Sequence, residues 1–261
     1  MLYFQLIISF VVGGILIALQ TLIAERVSLR WRGIILTIPT TVAISLLFIG
    51  IIKSPQDVAD ASISIPASLG ASYTFVTMFT LFRNFGLVFS YIFSMLIWCL
   101  FAFLIILFPP SDFLSSIFIF CAIPILLGYF IVSKCPQIVE LKKFPMNPKH
   151  LFFRSLLGGF IVALSVFLSK VLGNVWGGIF SVFPAAFSST FIIYYYLQGP
   201  KTIPAVTKST FFPGSIGFVL YAIVTYYTFP TYGIWLGTFI DYVVVIGFFL
   251  LWNYFAKFKS T

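Results

Sequence analysis

The feature that most limits how this chain can fold is a succession of apolar runs, most of them about 18 residues or longer, separated by short polar breaks. About 20 apolar residues carry one α-helix across the hydrocarbon core of a bilayer. Within that core the backbone has to satisfy its own hydrogen bonds, which leaves the helix as the form for runs of this length. Charge scarcity points the same way. Only 8% of the 261 residues are charged, against about 25% in a soluble domain, too few to cover a water-facing surface. A water-soluble enzyme is excluded. The expected fold is an all-α polytopic membrane protein of about nine transmembrane helices.

The apolar stretches put the spans at 2–24, 33–52, 63–82, 86–108, 113–133, 155–172, 176–197, 209–228 and 232–256. Basic residues test that count. With nine crossings, 13 of the 15 Lys and Arg fall on the side reached by the odd-numbered breaks, and only Lys53 and Lys170 fall on the other. If 113–133 did not cross, the split would drop to 10 against 5. The positive-inside rule then predicts an external N-terminus and a cytoplasmic C-terminus, in a cytoplasmic (inner or plasma) membrane. The first segment has no basic flank before it and no small-residue cleavage site, so it reads as a retained helix. Cys99, Cys121 and Cys135 form no closely spaced pair, so neither a disulfide framework nor a zinc site is expected.

The chain also repeats itself. Gly13 to Ala43 aligns without a gap on Gly158 to Ser188, at a constant offset of 145. Identities include Gly13/Gly158, Gly14/Gly159, Trp31/Trp176, Gly33/Gly178 and Pro39/Pro184, and the same offset pairs Pro55 with Pro200. The predicted units are 1–108 (repeat one, four spans), 109–150 (a connecting span and a basic linker) and 151–261 (repeat two, four spans). Five crossings precede the second unit, so it enters the membrane upside down relative to the first. Inverted repeats of this kind underlie many alternating-access transporters.

The run Trp176-Gly-Gly-Ile-Phe-Ser-Val-Phe-Pro184-Ala-Ala-Phe-Ser, followed by Tyr194-Tyr-Tyr and Gly199-Pro200, resembles the small GlpM-like inner-membrane proteins. The resemblance covers roughly residues 155–256 and, more faintly, 13–82. It implies a several-helix unit of about half this length that pairs with itself, here fused into one chain, and it brings no known site. Repeat one departs from the pattern, with Ile38 where Phe183 precedes the proline.

Breaks inside spans are the best sequence pointer to a binding site in such folds. Pro39 and Pro184 hold matching positions in the two repeats, and each removes a backbone donor inside its span. Hydroxyl residues surround both: Thr37, Thr40, Thr41 and Ser45 at the first, Ser181, Ser188, Ser189 and Thr190 at the second. A helix restarting at each proline would aim amides and a positive dipole end at the midplane, suited to an anionic group. Two ordinary kinks, with hydroxyls bonded back to the helix, are the alternative. Gln20 is a further binding candidate. Asp241, ten residues into the last span, is the candidate for proton or cation coupling, since a mid-membrane carboxylate is costly. Pro66 and Pro213 read as first-turn prolines.

No enzymatic constellation, metal site or cofactor is expected: His150 is the only histidine, and it lies in the basic linker. The expected partners are the lipid bilayer and a small solute, with self-association left open and nucleic acid excluded. The function that follows is a secondary transporter of a small polar or anionic solute, with its site between the second and seventh spans. A lipid or lipid-carrier flippase and a non-transporting scaffold or assembly factor are the alternatives.

Overall fold

A computed structural model describes residues 2–27, 35, 38–120, 126, 128–129 and 147–258. Thr37, the repeat positions Trp31 and Gly33, and most of the basic linker lie outside these residues. Among the described residues every regular element is helical. In chain order they are α1 (Leu2–Arg26), α2 (Thr40–Ile52), α3 (Pro55–Ile63), α4 (Ile65–Phe82), α5 (Leu87–Leu107), α6 (Phe113–Phe120), α7 (Pro148–Leu172), α8 (Asn174–Ser181), α9 (Ala185–Gln198) and α10 (Ile203–Phe258). Among the described residues, six stretches are long and apolar enough to cross a membrane.

These helices are apolar on their outer faces as well as their inner ones. Phe4, Ile7, Val11 and Ile15 on α1, and Val88, Leu96, Leu100 and Phe103 on α5, are exposed. In water such faces would drive aggregation; in lipid they match the solvent. The interior shows the complementary pattern, with many small hydroxyl residues buried between helices, Ser68, Ser72, Thr77, Thr80, Ser94, Ser165, Thr207 and Ser215 among them. Small and hydroxyl side chains are what bring helices together where lipid removes the hydrophobic drive.

The longest element is two helices, not one. Gly233 interrupts α10 at φ 76°, a left-handed backbone that suits glycine. The contacts then run in reverse order across it. The Phe249 ring packs over Gly217, Tyr221 faces Tyr242 with ring centroids 6.0 Å apart, and Phe229 packs over Gly237. As one partner number rises the other falls, so the arms 203–232 and 234–258 form an antiparallel hairpin. This agrees with the reading of two spans at 209–228 and 232–256. Pro213 departs from expectation: it sits inside the first arm, not in a first turn. Pro66 and Pro55 do occupy first turns, of α4 and α3.

α1 and α7, the opening helices of the two repeats, cross in close contact, and the crossing is reciprocal. Gly13 faces Val162, and Ile17 faces Gly158; Gly14 faces Ser155, and Phe10 faces Gly159. Val162 and Ser155 are the offset-145 mates of Ile17 and Phe10. Residue i of one copy therefore meets j of the other while j meets i, the signature of a local two-fold relation. Ser155 Oγ also donates to the Gly14 carbonyl at 2.7 Å. The glycine pairs explain the approach: a Cβ on Gly159 would stand 2.5 Å from the Phe10 carbonyl oxygen.

Candidate functional site

The backbone is built alike at Pro39 and Pro184, each the residue before a helix start. Pro39 has φ −76° and ψ 53°, and Pro184 has φ −75° and ψ 42°. Thr40 N–H donates to the Ile38 carbonyl at 2.8 Å, and Ala185 N–H to the Phe183 carbonyl at 2.7 Å. A donor reaching two residues back over such dihedrals makes an inverse γ-turn. The flanking bonds repeat too. Ile38 to Ile35 (3.2 Å) matches Phe183 to Phe180 (3.1 Å), and Ala43 to Pro39 (2.9 Å) matches Ser188 to Pro184 (2.8 Å). Proline has no side-chain oxygen with which to cap, so α2 and α9 each begin without a side-chain cap. The two breaks are both buried.

Each break has its own set of neighbours. At Pro39, Gln20 Nε2 donates to the Ile35 and Ile38 carbonyls at 2.6 and 3.0 Å. Gln20 thus caps the carbonyl end that the break exposes. Its repeat mate Ser165 reaches a different carbonyl, donating to Gly177 at 2.8 Å, seven residues before Pro184. Thr40 is buried, with its hydroxyl 3.5 Å from the Ile38 carbonyl; Thr41 is half-buried. At Pro184, Ser181 Oγ returns to the Gly178 carbonyl at 2.7 Å and Ser189 Oγ to the Ala186 carbonyl at 3.1 Å. Those two candidates are bonded within their own helices. Ser188 Oγ, in contrast, is buried with no hydrogen-bond partner.

The Pro184 break is also held by repeat one, through residues that sequence reasoning missed. Ser72 Oγ donates to the Val182 carbonyl at 2.6 Å, and Trp98 Nε1 donates to Ser72 Oγ at 3.1 Å. The Trp98 indole packs edge-on against Phe180 and Phe183, at 5.7 and 4.9 Å between ring centroids. Tyr73 packs edge-on against Phe187 at 5.6 Å, and its hydroxyl is buried without a partner. Only a buried Trp 26 residues from a buried Ser hints at this in the sequence, and no local pattern joins them.

Asp241 is fully buried. Thr225 Oγ1 donates to its Oδ2 at 2.5 Å, and Thr228 Oγ1 to its Oδ1 at 2.7 Å. Both threonines stand on the facing arm of the α10 hairpin, so the carboxylate joins the two arms through hydroxyls.

A charged cluster lies at one end of the bundle. Lys53 Nζ is 3.0 Å from Asp57 Oδ1 and also bonds Asn174 Oδ1 across the repeats. Asn174 Nδ2 donates to Asp57 at 3.0 Å, and Ser54 Oγ at 2.6 Å. Partial burial pulls the Asp57 pKa upward. The hydrogen bonds from Ser54, Lys53 and Asn174, with the Lys53 charge, outweigh it and hold the carboxyl down at about 2. Among the described residues no three His, Cys, Asp or Glu side chains come together as a metal site would require. A shallow groove on the outer face of α5, lined by Phe85, Phe89, Ile92, Phe93 and Leu96, is apolar throughout.

A family profile described as a protein of unknown function (DUF3147) matches the chain twice, over residues 6–110 and 151–255. The chain belongs to this family, as two fused copies. The two matches are offset by 145 residues at both ends, the offset at which the prolines and glycines coincide. No curated protein and no solved structure matches the chain.

Proposed function

We propose that the protein is a secondary transporter of a small solute, with nine crossings in an inverted 4+1+4 arrangement and alternating access between the repeats. The observation that carries this reading is the pair of matched helix breaks at Pro39 and Pro184. Interrupted helices at corresponding places in duplicated halves are how such transporters expose amides and carbonyls to a solute near the midplane.

The inverted arrangement draws support from which loops touch. Lys53 and Asp57, after the second span, bond Asn174, after the sixth. Gly50, just before that second-span loop, abuts Ile234, beside the loop after the eighth span. Tyr195, before the loop after the seventh span, donates its hydroxyl to the Arg83 carbonyl, in the loop after the third, at 3.1 Å. Each contact joins loops that a nine-span path assigns to the same side. With the 13-to-2 split of basic residues, this favours an external N-terminus and a cytoplasmic C-terminus.

Asp241 is proposed as the coupling residue. A fully buried carboxylate bonded only to hydroxyls has no fixed countercharge in those bonds, so taking up and releasing a proton is its natural response to a change of access. The likeness to GlpM-like half-length proteins fits a unit that pairs with an inverted copy of itself. The flippase alternative draws nothing from the α5 groove, which offers no polar group to a lipid headgroup. The test is a pH-jump flux assay. Proteoliposomes holding a pH-sensitive dye are offered a mixture of small metabolites, and solute-dependent proton entry is expected with the wild type. No solute-dependent signal would refute transport, and an unchanged pH dependence of flux in Asp241→Asn would refute the coupling role.

A further inference from the structure

The two breaks share a backbone but not their surroundings. Around Pro184 stand Ser72, Tyr73, Trp98, Ser181, Ser188 and Ser189. Their offset-145 mates are Gly217, Phe218, Val243, Leu36, Ala43 and Ile44, none of which carries a polar side chain. Around Pro39 the polar groups are Gln20, whose mate Ser165 is also polar, and Thr40, Thr41 and Tyr242, whose mates Ala185, Ala186 and Ile97 are apolar. The breaks therefore differ in their furnishing: unpartnered neutral hydroxyls stand at Pro184, whereas at Pro39 the Gln20 amide is turned onto the carbonyls of the break.

We propose that the Pro184 break is the solute site, and that it takes the carboxylate of a small monocarboxylic acid. This rests on the transport reading above and deepens it. Three sets of donors lie on the start of α9 and on the stretch of α4 packed against it. The first is the start of α9, a 14-residue helix whose cap is a proline. Ala185 and Ser188 N–H groups are used by the γ-turn and the first helical bond, and among the described residues Ala186 and Phe187 N–H groups have no backbone acceptor.

The second donor is the Ser188 hydroxyl, buried and unpartnered one turn into α9. Side chains on a helix lean back toward its N-terminus, which here is the break. The third is the Tyr73 hydroxyl, also buried and unpartnered. α4 runs parallel to α9, because Ser72 meets Val182, Tyr73 meets Phe187 and Phe79 meets both Phe191 and Tyr195. Leaning toward the start of α4 therefore also carries the Tyr73 side chain toward the break. Ser72 donates to the Val182 carbonyl and itself accepts from the Trp98 indole, so this acceptor is already occupied within the protein.

The charge of the ligand follows from the donors. Amides at a helix start with two hydroxyls offer a partial positive end and acceptor-directed bonds, which suit one negative charge. None of the six polar residues around this break is cationic, so a dianion would be left uncompensated in the membrane interior. An uncharged amide of the same size would gain the bonds without the dipole.

The experiment is a thermal-shift titration of the purified protein in detergent, with sodium acetate and sodium lactate as probes. Acetamide and sodium phosphate serve as comparators, at matched ionic strength. The expected result is a saturable rise in Tm with acetate or lactate. The apparent Kd should weaken at least tenfold in Tyr73→Phe and in Ser188→Ala, and should be unchanged in Thr231→Ala, an exposed hydroxyl near the turn of the α10 hairpin. Without ligand, Tyr73→Phe and Ser188→Ala should melt at or above the wild-type temperature, because each removes a buried unpaired hydroxyl. The proposal is overturned if neither monocarboxylate shifts the Tm, if the shift survives in both variants, or if phosphate shifts it more strongly. A fall in ligand-free Tm in Tyr73→Phe would also sink it, since the hydroxyl would then have an internal partner. Binding here is read without flux, so carboxylate binding with no proteoliposome flux would fault the transport reading alone, and flux with no carboxylate binding would fault this site alone.

Discussion

Substituting Gly159 by alanine tests the crossing that joins the two repeats, because its neighbours there are backbone. The new Cβ would stand 2.5 Å from the Phe10 carbonyl oxygen, and 3.2 and 3.3 Å from Gly14 N and Cα. Ordinary contact begins at 3.4 Å, so α1 and α7 must part by about 0.9 Å at this point. A gap of that size forfeits between a quarter and a half of each van der Waals contact it opens. Overpacking of this kind costs about 1–3 kcal/mol. Gly158→Ala is the control on the same helix. Its Cβ would meet the Cδ1 of Ile17, the far end of a flexible side chain. Thermal unfolding in detergent, followed by intrinsic tryptophan fluorescence, separates the two. Gly159→Ala should lower the Tm markedly and should not be rescued by Ile17→Val. Gly158→Ala should lower it less, and Ile17→Val should restore it. If Gly159→Ala melts like the wild type, the backbone contact does not exist and the reciprocal crossing falls with it.

Three further expectations follow from individual contacts. Ser72→Ala leaves the Val182 carbonyl and the Trp98 indole N–H unpaired in the interior; a loss of about 2–4 kcal/mol is expected, and near-neutral stability in the same melt would contradict it. Gly233→Ala meets open space, so its cost is backbone strain alone, about 1–2 kcal/mol; protease nicking at the α10 turn should increase, and an unchanged digestion pattern would count against the hairpin geometry. The Asp57 carboxyl is held at about 2, below its ordinary value near 3.8, so its contribution is fully present above pH 4 and disappears as pH falls toward 2. Asp57→Asn should therefore melt below the wild type at pH 6, with the difference vanishing near pH 2; a gap that persists at pH 2 would rule out the ionised network.

Much of the architecture was readable from the sequence, because lipid imposes length and periodicity directly. Runs of apolar residues marked α1, α4 and α5 to within two residues and the end of α7, though α7 starts at Pro148, seven residues before the expected 155, and the 145-residue offset of Pro39 and Pro184 marked two turns that share one geometry. Gln20 was legible as a polar residue in an apolar span, though not that it caps the exposed carbonyls before Pro39. The furnishing of the Pro184 break was not legible. Ser72, Tyr73 and Trp98 reach it from 86 to 112 residues away in the chain, and nothing local sets Tyr73 apart from the other 12 tyrosines. Pro213 misled for a related reason: a proline near the start of an apolar run is a local sign of a first turn, whereas the first arm of α10 starts at Ile203 and runs on through the proline.

The most direct test of the inverted arrangement is side-specific cysteine labelling in a variant lacking Cys99, Cys121 and Cys135. Single cysteines replace Ser54 and its repeat mate Gly199, and intact cells or oriented vesicles are treated with a membrane-impermeant maleimide. The account predicts that Cys at position 54 is labelled from outside and Cys at position 199 only after the cytoplasmic face is opened. Labelling of both from the same side would contradict the inversion, and with it the alternating-access reading built on the two breaks.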